Sequence, residues 1–518
     1  MANNPAFGHI DIQAASSHLT SGHPDAALVI CNRLLERDPK DFSALAIAGA
    51  AHVLAHRNAE ALPLLERAIA LKPHDPNVMN NLALALQKIG ELPRALAMLR
   101  DAAAMYPRRT DILFNLAGAL QENYQLEEAA SVCTQVIALD PRNGYAYCTL
   151  GDVLLEGGHV AGALAAYRQA VVVAPGLREA RASLARVQLL TGDFRNGWEN
   201  HEYRSFQIRS TLSTHLPRWN GSRDVGGGCV WLVAEQGLGD TIQFVRYAEL
   251  LQGAGIRASL ECHPRLARIL SSYAFLESVV PYGQARPDGV SVWFPLLSLP
   301  RAFGTDITCI PANVPYLSAD PERVAFWAGR LAGDRNFRVG IAWQGDPRTE
   351  RTSLRGRSVP LADFAPFAAT PGVSLYSLQK GHGTEQLQDV AFGARVVRLQ
   401  PELDSGTDAF VDTAAVMMHM DLIVTSDTSI AHLAGALGRP VWVATKFAPE
   451  WRWLLDRADS PWYPTMRLFR QTSPRDWTNV FAAMATQLGE RVPVLQRNEV
   501  RVGGMHRVGQ GGERFAPQ

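Results

Sequence analysis

The chain has 518 residues, of which 47% are apolar and 19% charged, with 50 basic and 50 acidic side chains. That length accommodates about two to four domains with sizeable cores. The zero formal net charge excludes a general attraction to nucleic acid or to an acidic membrane.

The six cysteines, Cys31, Cys133, Cys148, Cys229, Cys262 and Cys309, form no CxxC pair and no metal-ligand spacing. They read as scattered thiols of a reducing compartment. The first residues, MANNPAFGHIDIQ, lack the basic and apolar regions of a secretory leader. No apolar run reaches the ~18 residues of a spanning helix. A cytoplasmic protein without a membrane segment is expected.

Residues 1–208 read as a repeat. Pro39, Pro73, Pro107, Pro141 and Pro175 stand 34 residues apart, and Ala27, Ala61, Ala95, Ala129 and Ala163 keep the same interval. Between them apolar residues recur at spacings of three and four, the period of a helix buried on one face. Each unit is expected to be two antiparallel helices, closely packed at the alanine and ended at the proline. The pattern resembles the tetratricopeptide repeat. Such units bury their apolar faces only by stacking into a solenoid. Asn81 and Asn115, one period apart, form a candidate ladder for an extended peptide backbone; the plainer alternative is solvated helix surface. The last unit, around Gly197, Trp198 and Tyr203, departs from the pattern and reads as a cap docking on the next domain.

Residues 209–228 are rich in Gly, Pro and Ser and read as a linker. Apolar β-type runs come next at 229–235, 256–262, 276–282 and 290–294, with helical stretches between. A Pro-rich interruption, CIPANVPYLSADPE, precedes a second series: FRVGIAWQG, VSLYSLQ, RVVRLQ, LIVTSD and VWVAT. This alternation implies parallel sheets with right-handed crossovers. Two Rossmann-like domains are expected, 229–320 and 321–490, facing across a cleft. Ligands of such sheets bind where strand C-termini meet helix N-termini. Residues 491–518 read as a disordered tail.

Four constellations fall at these strand ends. EQGLGDTIQF has two glycines of a dinucleotide fingerprint, but Ile242 stands where the third belongs, so a dinucleotide cofactor is not expected. Gly237 and Gly239 read as room for a ligand. Asp240 reads as a helix N-cap and also as a carboxylate able to take a proton from an attacking hydroxyl. In TSDTSIAH, Asp427, Thr428, Ser429 and His432 open a helix whose N-terminus favours an anion such as a diphosphate; simple capping by Ser426 or Asp427, with His432 buried, is the alternative. Arg348, Arg351, Arg355 and Arg357 lie within one loop, suited to phosphate oxygens or simply solvated. Gln379 and Lys380 end a strand and Glu385 comes after them, in reach of a nucleotide. Trp451, Trp453, Trp462 and Tyr463 are either core or the wall of a sugar or base pocket. No HxxH, HExxH or DxD metal pattern and no GxSxG elbow occurs, so neither metal nor cofactor is expected.

GLGDTIQF and SDTSIAHLAGALGRPVW resemble glycosyltransferase family 9, the ADP-heptose:lipopolysaccharide heptosyltransferases. The resemblance implies a two-domain GT-B fold over the C-terminal ~280 residues. It implies an inverting, metal-independent transferase with Asp240 as general base. Asp427, Thr428 and the His432 helix would hold the nucleotide diphosphate. Arg357 would stand for a phosphate-binding lysine, and Gln379, Lys380 and Glu385 near the ribose and base. Gln243 departs from that family's histidine, and the repeats are foreign to it. In layout the chain also resembles O-linked GlcNAc transferases, which thread a protein acceptor along repeats. The expected function is transfer of a sugar from a nucleotide sugar to an acceptor, possible acceptors including a protein held by the repeats. Two alternatives stand beside it: a non-catalytic repeat scaffold with a degenerate nucleotide-binding domain, and another GT-B enzyme such as a nucleotide-sugar epimerase.

Overall fold

Repeat geometry sets the first half of the chain. The computed structural model describes residues 5–204, 216–350 and 355–505. Two compact units divide at Ser183/Leu184. Helices α1 (Pro5–Thr20), α3 (Phe42–Leu54), α5 (Pro76–Lys88), α7 (Thr110–Glu122) and α9 (Gly144–Glu156) pair with α2 (Pro24–Arg37), α4 (Asn58–Leu71), α6 (Leu92–Met105), α8 (Leu126–Leu139) and α10 (Val160–Val173). Each of the five prolines stands one residue beyond the C-cap of α2, α4, α6, α8 or α10, where a residue unable to continue a helix is favoured. Asp41, Asp75 and Asn143 cap the N-termini of α3, α5 and α9, each accepting a backbone N–H at 3.0 Å. The five periodic alanines are fully buried, as close helix pairing requires.

The turn inside each pair needs one left-handed residue. Gly22, His56, Gly90, Tyr124 and Gly158 occupy it with φ of 76°, 58°, 94°, 63° and 80°. His56 and Tyr124 carry a Cβ there, which costs about 1–2 kcal/mol in this region. Tyr124 packs against the repeat core, whereas His56 is exposed. His56→Gly is therefore expected to stabilise the first unit by about 0.5–1 kcal/mol, strain relief exceeding the added backbone entropy of the unfolded chain. Urea unfolding of the two proteins checks it; an unchanged or lower midpoint refutes it.

Helix α11 (Arg178–Leu190) straddles the division, and α12 (Phe194–His201) belongs to the second unit. The division falls before the boundary at 208 read from the sequence. The reason is the docking of α12: the Trp198 indole donates to the Thr305 carbonyl at 2.7 Å and meets Trp451 edge-on at 5.3 Å. Gly197 replaces the periodic alanine because a Cβ would come within 2.7 Å of Leu189. Tyr203 stays exposed.

The first sheet holds β1 (Cys229–Val233), β2 (Ala258–Cys262), β3 (Val279–Pro281) and β4 (Val290–Pro295), with α13 (Leu238–Phe244) and α14 (Tyr247–Gly253) after β1, α15 (Ala267–Leu270) after β2 and α16 (Leu299–Ala302) after β4. Helix α17 (Pro321–Leu331) leads to the second sheet: β5 (Phe337–Ala342), α18 (Ala365–Ala369), β6 (Val373–Ser377), β7 (Val397–Arg398), α19 (Val411–Met417), β8 (Leu422–Ser426), α20 (Ser429–Ala436), β9 (Val441–Thr445), β10 (Met466–Arg470) and α21 (Thr478–Met505). The orders are β3-β2-β1-β4 and β10-β9-β8-β5-β6-β7, and every ladder between these strands is parallel. Strands β1, β2, β8 and β9 are buried throughout, as helix cover on both faces demands. In each sheet the order reverses at one strand, beside β1 and beside β5, the kind of position at which open α/β sheets bind ligands.

Three expectations change. The linker residues Pro217–Trp219 pair with β4: Trp219 N–H donates to Trp293 O at 2.9 Å and Trp293 N–H to Pro217 O at 3.1 Å. Residues 209–215 lie outside the described residues. The expected tail from 491 instead continues α21 to Met505, anchored by Phe481, Met484, Leu488 and Val492 in the core of the second sheet; residues 506–518 lie outside the described residues. The aromatic segment contains a strand, β10, which its Pro- and Arg-rich surroundings hide.

Candidate functional site

The turn after β1 and the turn after β8 meet. Gly239 permits it: a Cβ there would lie 2.7 Å from His432 Cδ2 and 3.3 Å from Ser429 Cα. Its role is thus a close approach of α13 to α20 rather than room for a ligand. Gly237, not Asp240, is the N-cap of α13, and Asp240 occupies the third helical position. From there its Oδ2 accepts the Gly237 N–H at 2.8 Å. Gln236 takes a left-handed φ of 63° in this turn without being glycine.

Asp240 Oδ1 is ion-paired with Arg452 of the second sheet. Arg452 also binds Glu450 Oε1 at 2.6 Å and Gln243 Oε1 at 2.5 Å. Glu450 is pushed up to about 7, first by burial, against the pull of Arg452 and with the Asp427 charge adding to the rise. An unfolded glutamate releases its proton near 4.5. Between those two values the folded state holds more protons, so this group's contribution to stability falls as pH rises from about 4.5 to 7. Glu235, also raised by burial, acts in the same direction. In Glu450→Gln the fall in Tm over that interval should become shallower, measured by calorimetry across pH; an identical slope refutes the assignment.

Thr428 is the N-cap of α20, and its side chain does not cap the helix. Its hydroxyl lies 3.3 Å from that of Thr425. Ser426 donates instead to Trp343 O at 3.3 Å, so capping by Ser426 is not what the turn is for. Asp427 is half-buried beside the Arg452 and Glu450 charges. Ser429 begins the helix. His432 is buried, stacked on Trp453 at 5.6 Å, with Nδ1 3.0 Å from the Tyr463 hydroxyl. Burial, then the charges of Arg452, Arg246 and Arg357, hold it well below its ordinary value. A neutral packed imidazole supplies no cation to a phosphate, so the buried alternative for His432 is the one observed.

Three of the four loop arginines are among the described residues. Arg348 is exposed and paired with Asp346 at 2.7 Å. Arg351 lies outside the described residues. The Arg355 carbonyl accepts from Lys446 at 3.2 Å. Arg357 sits against Gly345, 3.7 Å from Glu350, near enough for its charge to act on His432.

Gln379 is consumed by backbone. Its Oε1 accepts from Trp343 N and Gln344 N at 3.0 and 3.1 Å, and its Nε2 donates to Gln344 O and His382 O at 2.8 and 2.7 Å. It brackets β5 to β6 and has no amide hydrogen left for a nucleotide. Lys380 donates to the Asp404 carbonyl, and Glu385 accepts the Gly383 N–H at 3.1 Å. Both line a cavity of about 540 Å³ beyond β6 and β7, with Ser377, Thr384 and Arg398.

In the repeats, Asn115 Nδ2 donates to Asn80 Oδ1 at 2.8 Å. Gln87 pairs with Glu122 at 2.5 Å and Gln121 with Glu156 at 2.9 Å, also 35 residues apart. The asparagine ladder is therefore in part a bond between neighbouring repeats, running through Asn80. Asn81 is half-buried.

Sequence reasoning missed Arg452, Glu450 and Arg246. Arg246 is almost fully buried and reaches Gln243 O, Pro311 O, Trp462 O and the Tyr316 hydroxyl at 2.7–3.0 Å. Its guanidinium lies 4.4 and 4.5 Å from the ring centres of Tyr316 and Tyr463. Trp451, Trp453, Trp462 and Tyr463 are core. All six cysteines are free and five are buried. Among the described residues no group of three or more His, Cys, Asp or Glu side chains is placed to hold a metal, and no helix is long and apolar enough to cross a membrane.

The fold is a helical-repeat solenoid of tetratricopeptide type followed by an α/β region whose two parallel sheets are consistent with a GT-B fold. Tetratricopeptide repeat models match residues 12–76, 52–113 and 148–195. The model described as glycosyltransferase family 9 (heptosyltransferase) matches residues 369–443, which contain Gln379, Lys380, Asp427 and His432 but neither Asp240 nor Arg357. The chain is similar to Protein FlbA of Caulobacter vibrioides, 26% identical over 359 residues, covering 62% of this chain and 57% of FlbA. It thus spans just over half the length of that relative. Similar solved structures include YrrB, a TPR protein with an unusual peptide-binding site, at 23% identity, 33% of this chain and 88% of that one, TM-score 0.29. Another is TTC0263, a thermophilic TPR protein of Thermus thermophilus, at 22% identity, 35% and 99%, TM-score 0.32.

Proposed function

We propose that the protein is a cytoplasmic, inverting glycosyltransferase of GT-B type that needs no metal. The observation that carries this is the approach of the Gly237–Asp240 turn, after β1 of one sheet, to the Asp427–Ser429 turn, after β8 of the other, with Asp240 and Asp427 both acting on Arg452. Both turns stand beside the switch strands of their sheets, where such folds bind ligands. The nucleotide sugar binds the second sheet. Its diphosphate lies at the N-terminus of α20, where backbone N–H groups and the helix dipole favour negative charge. Arg357 adds a cation on the same side. The nucleoside occupies the cavity bordered by Lys380 and Glu385. Asp240 takes the proton of the acceptor hydroxyl as its oxygen attacks the anomeric carbon. The repeats hold a protein or peptide acceptor along the faces bearing Asn81 and Asn115.

A thermal-shift screen of nucleotide sugars tests this reading. The true donor should raise Tm, because a ligand that binds only the folded state stabilises it by mass action. Failure of every nucleotide sugar to stabilise the protein, together with recovery of a partner through the repeats, would leave the repeat scaffold as the better reading.

A further inference from the structure

The pairing of Asp240 with Arg452 joins two sheets at the carboxylate assigned as base. Arg452 stands in the turn Trp451–Trp453, between β9 and β10. It is 7% exposed. Its Nη2 binds Asp240 Oδ1, its Nη1 binds Glu450 Oε1, and its Nε binds Gln243 Oε1. The guanidinium lies 4.3 Å from the ring centre of Trp451. An arginine whose fork is shared among these groups has little edge to offer a phosphate. Its evident charge partner across the sheets is Asp240.

Asp240 is held on both oxygens, Oδ1 by Arg452 and Oδ2 by the Gly237 N–H. Each carboxylate oxygen has two lone pairs, so one on each is left, in a direction these two bonds determine. Backbone outliers stand on either side. Gln236 precedes Asp240 by four residues with φ 63°, and Leu454 comes two residues after Arg452 with φ 52° and ψ −166°. Such conformations persist only where the surroundings over-determine them, and they gather at functional sites. Arg246 provides the contrast: it also bridges distant segments, but through carbonyls and a hydroxyl, as a structural rivet would.

We infer that Arg452 is the positioning residue for Asp240, so that the base carried by one sheet is oriented by an arginine of the other and is assembled only when the two are together. The inference rests on the transferase reading. In the step it serves, the acceptor O–H bond breaks and its proton passes to Asp240. The acceptor oxygen forms a bond to the anomeric carbon. The bond from that carbon to the diphosphate oxygen breaks, and its electron pair leaves with the diphosphate. As Asp240 becomes neutral, Arg452 keeps its hydrogen bonds to Glu450 and Gln243.

The test uses the full chain and the nucleotide sugar that stabilises it most in the screen. Release of the nucleoside diphosphate gives kcat, and thermal shift against donor concentration gives affinity. Arg452→Met should lower kcat by about 10²-fold, the usual result of misplacing a catalytic group, with donor affinity within about threefold. Arg452→Lys, which keeps the charge and loses the fork, should fall between. Adding Arg452→Met to Asp240→Asn should lower kcat no further than Asp240→Asn alone, since coupled residues are not additive. If the two losses multiply, or if affinity and Tm fall with kcat unchanged, Arg452 is merely structural and the inference is overturned. Should Arg452→Met fail to fold, the Arg452→Lys pair of comparisons decides by the same criteria. A wild type that neither binds nor turns over any nucleotide sugar overturns the transferase reading itself; normal wild-type turnover with an unaffected Arg452→Met variant overturns this inference alone.

Discussion

Replacing Asp240 by asparagine is expected to lower transfer turnover by about 10²–10⁴-fold, the range that general acid–base catalysis contributes. The substitution is nearly isosteric and keeps one oxygen to accept either the Gly237 N–H or an Arg452 N–H. Arg452 retains Glu450, so the loss of stability should be modest, about 1–3 kcal/mol. Donor binding, assigned to the other sheet, should be nearly unchanged. Turnover and thermal shift on the same preparations check all three. A folded Asp240→Asn protein with full turnover removes Asp240 from the base role.

Arg246→Met should have the largest effect on stability. The side chain is 1% exposed and lies between two aromatic rings. It satisfies carbonyls of Gln243, Pro311 and Trp462, which come from both sheets and the segment between them. Methionine fills most of the space but leaves those acceptors without a donor, each costing about 1–3 kcal/mol where it is fully buried. Replacing a whole buried polar set by apolar groups is often neutral; removing one member is not. For three such carbonyls the expected loss is about 3–5 kcal/mol. Urea unfolding should show a lower midpoint at an unchanged slope, the sign of lost stability rather than of a changed denatured state. An unchanged midpoint would mean that water replaces the guanidinium.

Much of this architecture is written in the order of residues. Prolines and alanines at a fixed interval specify paired helices because an α-helix is a local structure, closed by bonds four residues apart. Strands β1, β2, β8 and β9 are runs of apolar residues because parallel strands are covered on both faces. The candidate site is legible only in outline. The glycine and aspartate turns can be found, since helix starts have local signals. What each side chain touches cannot. Gln379 looks available to a ligand until four backbone groups from two loops meet it. Asn115 looks like half of a ladder with Asn81, but it bonds Asn80, the neighbour one position away.

The sequence by itself determined the repeat and the prolines that end its helix pairs, the two series of strands apart from β10, and the turns where strands hand over to helices. These rest on periodicity and on backbone preferences that act over a few residues. The tertiary structure alone decided that Gly239 serves an approach of α13 to α20 and that His432 is a neutral packed ring. It alone brought Arg452 to Asp240, 212 residues away. Burial and charge pairing depend on distance in space, and no local preference records which distant group will arrive.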